Sequence, residues 1–145
     1  NHVKIKMDCL SVTGFIYLGN YATAGDLEAG ESITLGENAD TEDLKSKESI
    51  AVGSNSDILD IVAKDNVILG NKVEAFEIMA GGRVQVGNDC ILTSISSKLN
   101  VTIGDNTTIY GIVCEEDVLL GNNITVEGTL IFNKLNTCKS KKDEK

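Results

Sequence analysis

Seven glycines recur at one fixed interval of 17 residues: Gly19, Gly36, Gly53, Gly70, Gly87, Gly104 and Gly121. Nothing is inserted or deleted between the first and the last. A period kept that strictly implies that each repeat lies directly on its neighbour, so the repeat sets the architecture. With the glycine as fourth residue of each row, position 1 reads Ile16, Ile33, Ile50, Val67, Val84, Val101 and Val118. Position 3 reads Leu18, Leu35, Val52, Leu69, Val86, Ile103 and Leu120, and the residue between is variable. Such period-two alternation marks a strand with one buried face.

A second aliphatic column falls at position 12, from Leu27, Leu44, Ile61, Ile78, Ile95 and Ile112 to Thr129. Position 14 beside it is small, from Ala29, Ser46, Ala63, Ala80, Ser97 and Cys114 to Ile131. Positions 7 and 9 form a softer pair, as in Ser56 and Ile58, Cys90 and Leu92, or Thr107 and Ile109. Each repeat therefore offers three short strands separated by polar corners. Helical repeats need roughly 33 to 47 residues and leucine-rich repeats roughly 20 to 29, so both are excluded. The pattern predicts an all-β, triangular parallel β-helix of seven to eight coils. At about 4.8 Å per coil, seven coils make a prism roughly 35 Å long.

The corners support this. A polar pair rich in Asn and Asp follows each glycine, including Asn38, Asn55, Asn88-Asp89, Asp105-Asn106 and Asn122-Asn123. Gly and Asn tolerate positive φ, and stacked Asn side chains can form ladders between coils. Proline, which would remove a ladder donor, is absent. The expected organisation is a degenerate first coil over residues 1–15, with Leu10 and Val12 in the columns of positions 12 and 14. Seven coils over 16–134 follow, then a disordered polar tail over 135–145.

The net charge is −9, and setting aside the four lysines and two acids of residues 139–145 leaves a body of −11. Such a body repels phosphate backbones and anionic lipid, so no nucleic-acid partner is expected. Cys9, Cys90, Cys114 and Cys138 match no zinc spacing, and neither metal nor cofactor is implied. Cys90 and Cys114 fall at inward positions and read as small core residues in a reducing compartment. No signal peptide or transmembrane span is visible. The sequons at Asn100, Asn106 and Asn123 arise from the repeat's own corner chemistry.

Two stretches, Ile103-Gly-Asp-Asn-Thr-Thr-Ile109 and Leu120-Gly-Asn-Asn-Ile-Thr-Val126, resemble the signature of hexapeptide acyltransferases, which is the alternative reading. Those enzymes build coils from three six-residue units and use a histidine base, whereas this chain keeps 17 and carries only His2. No catalytic residue is expected. The position 2 column (Tyr17, Thr34, Ala51, Ile68, Gln85, Thr102, Leu119) lacks the threonine ladder of ice-binding β-helices. Calcium-binding nonapeptides are likewise missing.

Ala24-Gly-Asp-Leu-Glu-Ala-Gly-Glu-Ser-Ile-Thr-Leu-Gly-Glu-Asn-Ala39 resembles the running pattern of bactofilins, a Gly-Asp-aliphatic corner followed by a strand ending in aliphatic-Gly. Thr125-Val-Glu-Gly-Thr-Leu-Ile131 is a second such stretch, and the similarity covers residues 9–134. The chain departs from it where Glu42, Leu59 and Phe76 replace the corner glycine. The resemblance implies a right-handed β-helix, a structural and cytoskeletal role, and end-to-end polymerisation into filaments without nucleotide. It also implies a cytoplasmic, membrane-proximal location, although no apolar targeting peptide precedes the coils.

Physics points the same way, because an uncapped β-helix ends in unpaired backbone groups. The last coil is apolar, so Leu119, Leu130 and Phe132 are the expected self-association contacts, giving a homo-oligomer by coil-on-coil stacking. A second candidate surface is an outward stripe of Leu59, Val62, Phe76, Met79, Tyr110 and Val113, apolar where a monomer is normally polar.

Overall fold

The computed structural model describes residues 9–132 in full and the backbone of residues 3–4 and 134–137. The described elements are all strands, and every pairing between them is parallel. Neighbouring coils pair at the sequence period, with Val67 on Val84, Ile61 on Ile78 and Ile95 on Ile112. The protein is a parallel β-solenoid of about seven turns.

The first face is an eight-stranded sheet built from positions 1 to 3, running from Ile16–Leu18 up to Lys134–Thr137. The third face, positions 11 to 14, starts at Cys9–Val12, where Leu10 pairs with Leu27 and Val12 with Ala29. The second face is irregular. In the lower coils it is held by single bridges from Thr23 to Asp40, Asp57 and Glu74. From the fourth coil upward it fuses with the third into the strands Glu74–Ala80, Ile91–Ser97 and Thr108–Cys114. The corner residues account for the change. Gly25-Asp26, Glu42-Asp43 and Leu59-Asp60 contain poor strand formers, whereas Phe76, Thr93 and Tyr110 favour extended backbone. Each fused strand still turns, as where Phe76 and Glu77 both point outward in succession.

The core is the set of inward columns. Positions 1 and 3 bury Ile33, Ile50, Val67, Leu69, Val84 and their stacked equivalents, and position 12 buries Leu27 to Ile112. The small residues of position 14 fill the narrow corner, where the Ser97 hydroxyl donates to the Gly82 carbonyl at 2.7 Å.

The glycines serve a different purpose from the one their corner position suggests. None of those described has positive φ. The left-handed residue is two places later, at Tyr21, Asn38, Asn55, Lys72, Asp89, Asn106 and Asn123, with φ between 57° and 63°. Close approach is what demands glycine. A Cβ at Gly87 would stand on the Asn71 Oδ1 atom and 2.6 Å from the Gly70 carbonyl oxygen. That Oδ1 occupies the gap because it accepts the Asn88 N–H at 2.8 Å. The same interlock joins Asn20 to Glu37, Asn88 to Asp105 and Asp105 to Asn122, each at 2.8 Å. It recurs at another corner, where Asn66 accepts the Arg83 N–H beside Gly82. The expected ladder is thus mainly side chain to backbone. A direct amide-to-amide rung joins Asn123 to Asn106 at 3.0 Å.

The last coil slips. Ile112 pairs with Leu130 and Val113 with Ile131, one residue beyond the period, while Asp117 pairs with Lys134 back on it. The slip lets apolar Leu130 take the inward column in place of Thr129, which stays exposed. Leu135 then pairs with Val118, so the stretch expected as a tail from residue 135 opens with a strand. Its remainder, 138–145, lies outside the described residues, as do most of residues 1–8.

Gly87→Ala should lower stability by about 2 kcal/mol or more, since only backbone or a bonded amide can yield. Gly19→Ala, with no described atom within 4 Å of the added carbon, should be near neutral in the same denaturation series. Thr41 is buried in the position 9 column with its hydroxyl unpartnered. Thr41→Val should therefore raise the unfolding midpoint, by about 1 kcal/mol of stability.

Candidate self-association surfaces

The two ends of the described stack share one feature. Leu10, Val12 and Leu18 at the bottom, and Ile124, Leu130 and Phe132 at the top, are only partly buried against the core. Their equivalents in the intermediate coils are covered on both sides. Backbone donors follow suit. Gly36, Gly53, Gly70, Gly87, Gly104 and Gly121 each donate to the carbonyl of position 3 in the coil beneath. Gly19 has no described coil beneath it on this face. At the top, the Asn106 N–H donates to the Asn122 carbonyl above, and no described coil lies above Asn123.

The three terminal residues singled out in the sequence are thereby separated. Leu130 and Phe132 belong to the top of the core, Leu130 by way of the register slip. Leu119 does not face the end: it projects sideways from the first face, and its strand is covered by the one carrying Asn136. A one-residue shift, invisible in a perfect period, decided the placement of Leu130.

The lateral stripe is brought together and lies on the surface. Leu59, Val62, Phe76, Met79, Tyr110 and Val113 are between 37% and 58% exposed. Thr93 and Ser96 interrupt it in the fifth coil. Ile91, not singled out in the sequence, fills the gap from the second face and borders a hollow of about 170 Å³ with Leu59 and Phe76. Its signal was present, since position 8 otherwise holds only Thr, Asp and Glu. Beside Met79 lies a shallow groove of about 480 Å³, bordered by Val62, Ser96, Lys64 and Lys98 and floored at Gly81.

Charge frames this stripe in columns. Asp26, Asp43, Asp60 and Glu77 stack at position 11, and Lys47, Lys64 and Lys98 stack at position 15. These lysines form no ion pair with any described residue. The thiols stand apart. Cys90 and Cys114 are buried, and that desolvation pushes both above the ordinary thiol value despite nearby backbone donors. Their protonated forms thus favour the fold, a contribution complete below the ordinary thiol value and lost as pH rises through the folded one. Among the described residues, no group of acids, cysteines and histidines is arranged to hold a metal ion, and no helix could cross a membrane. Compared with protein-family models, characterised proteins and solved structures, the chain matches none.

At about pH 8, a thiol alkylating agent should modify exposed Cys9 well before Cys90 and Cys114. Peptide mapping should show those two reacting at rates set by unfolding.

Proposed function

We propose that this protein is a structural scaffold that assembles end to end, in the manner of bactofilins, as a cytoplasmic filament. The observation that carries the reading is the pair of half-covered column ends. Leu10 and Val12 present at the bottom the inward columns of positions 12 and 14 that Leu130 and Phe132 present at the top, while Leu18 and Ile124 are half-covered ends of two further inward columns, positions 3 and 7. A second copy supplies a coil of matching period and shape. Stacking would satisfy the ladder groups that lack a described partner and bury the half-exposed aliphatics, at roughly 25 cal/mol per Å² of apolar area.

Gly19 offers a selective test. Among the described residues a Cβ there meets nothing within 4 Å, yet at Gly36 and Gly53 it would strike the backbone of the coil beneath. Gly19→Ala should leave the unfolding midpoint unchanged while weakening concentration-dependent sedimentation and shortening any filaments seen by negative stain. Wild-type protein that stays monomeric at all concentrations, or a Gly19→Ala variant that polymerises normally, would overturn the proposal.

A further inference from the structure

The third face carries a pattern that is complementary to itself. Along one outward row of the third coil stand Asp60, Val62 and Lys64, with Ile61 and Ala63 buried between them. The second coil repeats the arrangement as Asp43, Lys45 and Lys47, and the fourth as Glu77, Met79 and Gly81. In each row the acid and the position 15 residue are equally far from the central position 13. A two-fold axis lying along the rod, on the position 13 column, therefore sets every position 11 residue of one copy against position 15 of another at the same level. Asp43 meets the second copy's Lys47, and Asp60 meets its Lys64. Val62, Met79 and Val113 meet their own equivalents on the axis.

We infer that two rods pair side by side through this face, pointing the same way. Three details favour a second copy over any other occupant. Lys47 and Lys64 lack charged partners among the described residues, and Asp43 and Asp60 of the second copy, opposite them, would supply those partners. The groove floored by Gly81 leaves room where Glu77 of the other copy arrives, between Lys64 and Lys98 of the adjacent levels. Glu28 and Lys45 would each meet their own kind on the axis, but they stack in neighbouring coils and can pair crosswise. The opposite arrangement, with the two-fold axis perpendicular to the rods, would press one column of Asp26, Asp43, Asp60 and Glu77 against its copy. Charge thus selects the parallel dimer.

The matched surface, about 16 Å wide and 24 Å tall from strand and coil spacings, is about half a standard interface per partner. Single rods should pair weakly, and rods lengthened by stacking should pair strongly because each added copy repeats the contact. The lateral contact itself does not depend on end stacking.

Charge exchange tests it. Asp60→Lys and Lys64→Asp should each weaken lateral pairing at least about tenfold, and the double variant should recover most of it, because the pair is restored across the axis. Met79→Cys reports the geometry. Treatment of that variant with a mild oxidant should yield a dimer joined by a disulfide between the two substituted positions, identified by peptide mass spectrometry. Thr102→Cys on the first face should not cross-link to itself. End stacking cannot bring the fourth coils of two copies together, so the link separates lateral pairing from polymerisation. Circular dichroism confirms folding of each variant. No self-link in the Met79→Cys variant, single reversals without effect, or a double variant no better than the singles would overturn the inference. A self-link there that persists while the Asp60→Lys variant pairs better than wild type would establish the opposite, perpendicular arrangement and overturn it equally.

Discussion

Every coil must follow the backbone path of the one beneath it, because each strand's hydrogen bonds go almost wholly to its neighbours 17 residues away. The rest of the structure follows from that requirement. An extra residue in one coil would displace every column above it by one place, and in strands one place means the opposite face. The chain meets this with a corner lock. Glycine leaves a gap, an Asn or Asp oxygen from the coil below fills it, and that oxygen holds the next backbone N–H. The two residue types are therefore one device shared between coils, not two separate corner preferences.

The place where the register shifts shows what the lock prevents. Between residues 127 and 131 the chain absorbs an additional residue, and the position 12 column passes from Thr129 to Leu130. Gly128 sits against the Tyr110 carbonyl there, giving the backbone room to bulge. The register recovers by Lys134, so that Leu135 again falls on the aliphatic column of position 1. Burial of an aliphatic side chain outweighed the local period, but only near the top of the stack, where little of the described chain lies above to be displaced.

A stack built this way confines chemical individuality to its outward columns and its ends. On the third face these columns are partly ordered: acids at position 11 from Asp26 to Glu77, apolar Val62, Met79 and Val113 at position 13, and Lys47, Lys64 and Lys98 at position 15. Because stacking repeats each column every coil, a weak preference at one level is multiplied along the rod. The proposed axial and lateral associations would therefore use different parts of the molecule. The ends offer unfinished core, and the sides offer patterned surface.

The sequence alone determined the solenoid, its 17-residue turn and the inward columns, since a strict period admits only one way to bury Ile33, Ile50, Val67 and their equivalents together. It also marked Leu59, Val62, Phe76, Met79, Tyr110 and Val113 as outward, because alternation fixes sidedness. It did not reveal why the glycines are needed, since φ and close approach leave the same signature in one dimension. Nor did it show that the second and third faces merge from the fourth coil upward, or that Leu130 turns inward in place of Thr129. Those depend on which atoms of one coil touch the next, and only the stacked backbone brings residues 17 apart to within a hydrogen bond of each other.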